Sequence, residues 1–157
     1  MSAYVQWKDF YSVGENSLDA QHKQIIAIID DLYNAMHAGR EYSELKGLME
    51  RLVRYTMTHF QHEEQIMQAC GYPDFENHKA LHDLMRRRTL GLRANLNLMT
   101  GHDLLCFLKD WWTGHIQSED QCYIPYVSAA AKKRPLSASA AQAVGPVDGL
   151  GQPAAHQ

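Results

Sequence analysis

Apolar residues recur every three or four positions along four stretches of the chain, which is the spacing of helices that bury one face. The stretches span residues 22–36, 45–67, 75–96 and 104–116. Ser17 or Asp19 is placed to cap the start of the first stretch. Residues that end helices follow at Gly39, at Gly71-Tyr72-Pro73 and at Thr100-Gly101-His102. The pattern predicts an all-α fold.

The connections between the four predicted helices are short, so neighbouring helices are expected to run antiparallel. We therefore predict an up-down-up-down four-helix bundle over residues 17–127. Residues 1–16 form an N-terminal arm, in which Trp7, Phe10 and Tyr11 are available to pack against the bundle. Residues 128–157 are rich in Ala, Gly, Pro, Ser and Gln and contain no aromatic residue. This composition predicts a disordered C-terminal tail.

Polar side chains that can bind metals interrupt the apolar stripes of all four predicted helices. They are His22, His59, Glu63, His78, His82 and His115. Burying an imidazole or a carboxylate without a partner costs about 1–3 kcal/mol. A single residue of this kind is usually a core histidine with a hydrogen-bond partner. Six of them spread over four helices indicate a shared metal site, and nine histidines in 157 residues is a high content of the commonest side-chain metal ligand.

The topology and the local spacing both bring these residues together. The antiparallel arrangement places them near one end of the bundle. Two pairs are four residues apart, namely His59–Glu63 and His78–His82. Residues at that spacing lie on one helix face and can reach the same or neighbouring ions. His62 and Glu64 fall off the apolar stripe, so we expect them to face solvent.

The spacing leaves one further ligand undecided. After His115 the candidates are Glu119, four residues on, and Asp120, five residues on. In a regular α-helix a residue five positions on is displaced around the axis by roughly 140°, which favours Glu119. A local bulge or fraying at the helix end would instead bring Asp120 inward.

Composition and charge exclude several classes of protein. The net charge of −3 offers no basic surface for nucleic acid and no polybasic membrane anchor. We find no apolar run long enough to span a bilayer, and the first residues lack the pattern of a signal peptide. Cys70, Cys106 and Cys122 are an odd, widely spaced set, which argues against a disulfide framework. We expect a cytoplasmic protein.

The candidate ligands stand in motifs that resemble a known family, and the match covers roughly residues 5–127. In chain order the motifs are Asp19-x-x-His22, His59-Phe60-x-x-Glu63-Glu64, Gly71-Tyr72-Pro73, His78-x-x-x-His82 and Trp111-x-x-x-His115-Ile116-x-x-x-Asp120. The sequence resembles the hemerythrin-like proteins, specifically their single-domain bacterial members. The resemblance implies that Asp120, rather than Glu119, is the second bridging carboxylate.

The resemblance also implies the cofactor and its ligands. It implies two non-haem iron ions with an oxo or hydroxo bridge, the first held by His78, His82 and His115. His22 and His59 would hold the second iron, with Glu63 and Asp120 bridging the two. The second iron then keeps one open position. The resemblance therefore implies reversible dioxygen binding, for oxygen storage, transport or delivery to a partner that the sequence does not identify.

A dry pocket is expected around the open position, because excluding water and protons protects the site from oxidation. By resemblance its wall consists of Ile25, Phe60, Trp111, Trp112 and Ile116. Trp112 departs from the family, which commonly has leucine there. An additional ring at this position affects the width of the pocket and the access of oxygen.

Two other functions share some of these residues. The same di-iron scaffold could serve as an oxygen or redox sensor, or as a scavenger of peroxide or nitric oxide. A metal-dependent phosphohydrolase would use His59, the His82-Asp83 pair and Asp120, but it leaves the other candidate ligands without a role. We see no general acid, nucleophile or substrate cleft, and we do not predict an enzyme.

Overall fold

The computed structural model describes residues 4–98 and 100–133, without the side chains of His102, Leu105, Trp112 and Thr113. A 3-10 turn at Asp9–Tyr11 precedes helices α1 (Asn16–His37), α2 (Tyr42–Cys70), α3 (Phe75–Ala94) and α4 (Gly101–Asp110). A π-helical segment (Trp111–Glu119) and a 3-10 turn (Asp120–Tyr123) continue α4 into α5 (Ile124–Lys133). The described residues contain no strand, so the predicted all-α four-helix bundle is confirmed.

Glycines end the first two helices, as predicted. Gly71 adopts a left-handed conformation with φ +70°, and the next N–H, of Tyr72, donates to the Met67 carbonyl at 3.0 Å. Gly39 has φ +60°, and the Arg40 N–H that follows bonds back into α1 in the same way. A residue without a Cβ adopts this conformation at little cost, which satisfies the last carbonyls and turns the chain.

The helix starts differ in part from the sequence prediction. Helix α1 begins at Asn16, and the Glu15 carboxylate, rather than Ser17 or Asp19, accepts the cap hydrogen bond, from the Ser17 N–H at 3.3 Å. Asp19 instead binds the arm, accepting from the Val13 N–H at 2.9 Å. It thereby joins the arm to the first turn of the bundle.

Two apolar clusters lie along the bundle, with a polar layer between them. The larger cluster includes Ile25 of α1 and Phe60 of α2, and the smaller includes Leu18 of α1 and Met67 of α2. His22 falls between Leu18 and Ile25, Glu63 falls between Phe60 and Met67, and His59 directly precedes Phe60. The metal-capable side chains therefore lie in a layer sealed by apolar residues on both sides.

The arm packs through only some of its aromatic residues. Tyr11 is buried, and the half-buried Trp7 ring lies 4.8 Å from the Lys23 ammonium. Phe10 is 69% exposed and contacts the Tyr11 ring, so it does not pack into the bundle as we expected it could. The Val5 N–H also attaches the arm, because it donates to the Asp30 carboxylate of α1 at 3.0 Å.

The C-terminal boundary differs from the prediction. Disorder was predicted from residue 128, but α5 continues through Lys133, so residues 128–133 are helical. The rest of the predicted tail lies outside the described residues, as does the predicted role of the Trp112 side chain. Among the described helices, none has the length and apolar character needed to cross a membrane.

Candidate metal centre

Seven buried side chains meet in the polar layer, each 3% exposed or less. They are His22 of α1, His59 and Glu63 of α2, His78 and His82 of α3, His115 of the π-helical segment and Asp120 of the following turn. Helices α1, α2 and α3, the π-helical segment and the turn after it each contribute at least one of these residues, which stand where the inward face would otherwise be apolar. The structure thus brings together all seven candidates from the sequence.

The first group of donors contains three histidines. Ligand atoms of Glu63, His78, His82, His115 and Asp120 all lie within 4.8 Å of one another. The Nε2 atom of His82 is 3.1 Å from that of His78 and 3.1 Å from that of His115. It is also 3.1 Å from Glu63 Oε2. The three imidazoles therefore point their Nε2 atoms at one small volume.

The second group contains two histidines and shares both carboxylates with the first. Ligand atoms of His22, His59, Glu63 and Asp120 again lie within 4.8 Å of one another. His22 Nε2 is 3.2 Å from Asp120 Oδ2, and His59 Nε2 is 3.4 Å from Glu63 Oε2. The other Asp120 oxygen, Oδ1, lies 3.2 Å from His115 Nε2 in the first group. Asp120 therefore spans the two groups with different oxygens.

Many of these atoms are close together without forming hydrogen bonds. Both ring nitrogens of His22, His59 Nε2, Glu63 Oε2 and both oxygens of Asp120 are buried and have no hydrogen-bond partner among the described residues. Leaving each such group unpaired costs about 1–3 kcal/mol. Lone pairs that converge on a common point instead of on a proton suit a metal ion, so the residues present fit a metal centre.

The pKa values of two of the five histidines favour metal binding, whereas for His22 and His78 burial is outweighed by the neighbouring Asp120, which raises the pKa. Burial lowers the pKa of His59 to about 3 and also lowers the pKa of His115, which keeps their nitrogens available as neutral donors. Burial raises the pKa of Asp120, but the neighbouring His115 and His22 outweigh it and hold that pKa well below its usual range. The bridging position is thus an ionised carboxylate, even though no solvent reaches it.

The winding of the chain decides between Glu119 and Asp120. Trp111–Glu119 is π-helical, and its wider winding brings a residue five positions on much closer to the face of the first residue than an α-helix does. Asp120 is therefore fully buried beside His115, whereas Glu119 is partly exposed and lines a surface groove. The regular helix that favoured Glu119 does not exist at this point of the chain.

Comparison with known proteins agrees with the motifs. A family model described as the Hemerythrin HHE cation binding domain matches residues 13–127. The chain belongs to the hemerythrin family. Bacteriohemerythrin of Pseudomonas aeruginosa is 33% identical over 127 residues, which cover 80% of this chain and 82% of that protein. For bacteriohemerythrin of Methylococcus capsulatus, the identity is 34% over 118 residues, covering 71% of this chain and 86% of the relative.

A solved structure shares the fold of this hemerythrin domain. A crystal structure of wild-type hemerythrin matches it with a TM-score of 0.71 and 30% sequence identity, covering 80% of this chain and 99% of the other. The family resemblance drawn from the motifs is therefore confirmed. Hemerythrins are oxygen-binding proteins with a non-haem di-iron site, and the buried donors of this chain fit a metal site of that kind.

Three side chains outside the seven contact the hemerythrin site directly. His59 Nδ1 donates to Gln21 Oε1 at 3.0 Å, and the Tyr123 hydroxyl donates to Glu63 Oε1 at 2.6 Å. Glu64 accepts from His82 Nδ1 at 2.9 Å, so the prediction that Glu64 faces solvent was wrong. Sequence reasoning missed these contacts because each lies off the apolar stripe or beyond its end, and each depends on a partner in another element.

The expected pocket residues are buried against the donors where the structure describes them. Ile25, Phe60, Trp111 and Ile116 are 0–2% exposed. The Phe60 ring stacks on the His82 imidazole at 4.0 Å between centroids and on Trp111 at 5.7 Å. Phe60 and Trp111 therefore lie against the histidine rings, and Ile25 and Ile116 are buried in the larger apolar cluster.

The arrangement does not support the hydrolase alternative. Asp83, which that function requires beside the metal, is 39% exposed and belongs to neither donor group among the described residues. Its carboxylate instead binds Lys79 at 3.0 Å and Arg86 at 2.6 Å on the surface of α3. The exposed position gives Asp83 no path to an ion held by His82 Nε2.

Proposed function

We propose that this chain binds dioxygen reversibly at a di-iron centre, as a cytoplasmic protein of oxygen storage, transport or delivery that turns over no substrate. The proposed ligands are the seven buried side chains: His22, His59, Glu63, His78, His82, His115 and Asp120. The observation that carries the proposal is the pair of donor groups that share Glu63 and Asp120. Shared carboxylates suit two neighbouring ions better than one.

The positions of the nitrogens support one shared ion on the side with three histidines. His82 Nε2 lies 3.1 Å from the corresponding atoms of His78 and His115. These three imidazoles would therefore hold one iron, and His22 and His59 would hold the other.

The two groups differ in their number of histidines, which supports an open position for a small molecule. Three histidines serve one side and only His22 and His59 serve the other. Two irons held by these residues would supply the two electrons that reversible dioxygen binding requires. Ile25, Phe60 and Ile116, all fully buried, keep water from the donors and so favour release over oxidation.

The charge of the donor set also favours binding over oxidation of a substrate. Only two carboxylates, Glu63 and Asp120, belong to the donor groups. Ferritin-like di-iron enzymes have about four, and their more anionic surroundings better stabilise highly oxidised iron. Metals held mainly by neutral imidazoles would keep a net positive charge, and highly oxidised iron would be less stable there.

The test is the visible absorption spectrum of the purified protein after anaerobic reduction, after admission of air and after removal of oxygen. A colour that forms with oxygen and disappears on its removal supports the proposal. A spectrum of oxidised iron that removal of oxygen does not reverse would instead favour a sensor or scavenger on the same scaffold. Zinc by metal analysis, with no oxygen-dependent colour, would refute the di-iron proposal.

A matched pair of variants assigns the colour to the site. His59→Ala removes a buried ligand and should abolish the oxygen-dependent colour. His62→Ala changes a histidine on the same helix that belongs to neither donor group, and it should leave the colour intact. Equal spectra for the two variants would contradict the proposed ligand set.

A further inference from the structure

The two sides of the site differ in the groups behind their histidines. On the side with two histidines, His59 Nδ1 donates to the neutral amide oxygen of Gln21 at 3.0 Å. On the side with three, His82 Nδ1 donates to the carboxylate of Glu64 at 2.9 Å. Both contacts leave the Nε2 lone pair directed at the donor groups. A carboxylate, however, draws the Nδ1 proton more strongly than an amide does, which makes Nε2 the better electron donor.

Glu64 is held in place from several directions. Its Oε1 atom accepts from His82 and also from Arg86 Nη2, at 2.8 Å. Arg86 is fixed in turn by Asp83, at 2.6 Å from Nη1, and its guanidinium lies 5.2 Å from the centroid of the Phe60 ring. Phe60 itself stacks on the His82 imidazole at 4.0 Å. These contacts hold the Glu64 carboxylate where it accepts the hydrogen bond from the His82 imidazole.

The exposure of these groups rises outward from the site. The side chain of His82 is fully buried, that of Glu64 is 15% exposed and that of Arg86 is 21% exposed. At low exposure the charge of Glu64 is only partly screened by solvent, so it acts on the imidazole at close range. Arg86 offsets the cost of holding that charge near the core.

We propose that Glu64 is a positioning residue that acts through His82 and makes the three-histidine side of the centre the stronger electron donor. The inference rests on the proposed function and adds an asymmetry between the two metal positions. The higher charge state of a bound metal is stabilised on the side of His82. The Gln21–His59 side, which holds the open position, remains the weaker donor.

The test compares Glu64→Gln, Glu64→Ala and Glu50→Gln with the wild type in the full chain. Affinity for ferrous iron is measured without oxygen by competition with a chelator, and the midpoint potential of the loaded centre is measured by redox titration. Glu64→Gln keeps a neutral acceptor, and it should weaken binding about 10-fold and raise the midpoint potential. Glu64→Ala should cost more, up to about 100-fold.

Glu50→Gln is the control, because Glu50 is also a carboxylate of α2 that pairs with an arginine of α3, Arg93, at 3.4 Å, but it belongs to neither donor group. It should change the affinity less than about twofold, and the unfolding of the metal-free protein should be similar for Glu50→Gln and Glu64→Gln. If Glu64 has only a structural role, Glu64→Gln should have the same iron affinity and the same midpoint potential as the wild type. That result would overturn the proposal. If Glu64→Ala does not fold, Glu64→Gln alone decides.

A reversed change tests the asymmetry itself. Gln21→Glu places a carboxylate behind His59 and should lower the midpoint potential, opposite to Glu64→Gln. An unchanged potential in both variants would overturn the proposal. The proposed function is judged separately, because it stands if the wild type binds two irons and shows the reversible oxygen spectrum, whatever the Glu64 variants do.

Discussion

The hydrogen bond from Tyr123 to Glu63 offers a quantitative test of how the site is held together. The hydroxyl donates to Oε1 at 2.6 Å, and both side chains are fully buried. Hydrogen bonds to charged groups contribute about 1.5–3 kcal/mol. Tyr123→Phe removes one oxygen and leaves a buried carboxylate oxygen short of a donor. We therefore expect the free energy of unfolding of the metal-free protein to fall by about 1.5–3 kcal/mol.

Urea unfolding followed by far-ultraviolet circular dichroism measures this difference. For a chain of this length, a loss of that size lowers Tm by about 3–12 °C. Tyr126→Phe is the matched control, because Tyr126 is 37% exposed and packs its ring against Tyr72. It should change the stability by less than about 0.5 kcal/mol. Equal effects of the two substitutions would refute the argument that Tyr123 stabilises the buried carboxylate.

The pH dependence of the same variant checks the cause. Burial and the nearby charge of Glu63 raise the pKa of Tyr123 well above its ordinary value of 10.0. Between pH 10 and the raised pKa, Tyr123 ionises in the unfolded chain but stays protonated in the folded chain. Its contribution to the free energy of unfolding is therefore complete below pH 10 and is lost as the pH rises further. The stability difference between wild type and Tyr123→Phe should thus shrink when unfolding is measured above about pH 10. A constant difference would contradict the assignment.

Three further tests address other features. Asp120→Asn should reduce bound iron to less than about half of the wild-type amount by metal analysis, whereas Glu119→Gln should not, because Asp120, unlike Glu119, has oxygens near both histidine groups. In urea unfolding, Gly71→Ala should cost about 1 kcal/mol because of its φ of +70°, whereas Gly47→Ala, inside α2 with open space around it, should stabilise by about 0.5–1 kcal/mol. Thr100→Ala removes the capping box of α4 and should cost about 1 kcal/mol in the same assay, and no loss would argue against that cap.

Some features of this fold follow from local chemistry alone. The ends of α1 and α2 were predicted from Gly39 and Gly71, because a positive φ at the end of a helix strongly favours glycine. The buried faces of the helices were also predicted from local chemistry, because apolar residues recur with the period of the helix along the side that is buried. The capping residue of α1 was harder to predict, because several polar residues near its start, among them Glu15 and Ser17, could each act as the cap.

The C-terminal end of the bundle shows the limit of composition as a guide. Residues 128–133 are mainly Ala and Lys, which suited either a tail or a helix. They are helical because Val127, one turn inside α5, is buried against the smaller apolar cluster. Packing against the bundle therefore extends the helix beyond the point where its own sequence stops being apolar.

The sequence by itself determined the helices, their glycine ends and the set of polar residues placed on buried faces. Residue spacing left the choice between Glu119 and Asp120 open, and the family resemblance implied Asp120. The tertiary structure gave the physical reason, because the answer depends on how tightly the chain winds after Trp111. It also decided that Glu64 accepts a hydrogen bond from His82 instead of facing solvent, a contact between residues 18 apart on two helices. Local periodicity specifies the direction of a side chain relative to its own helix axis. The approach of a second helix specifies what that side chain meets.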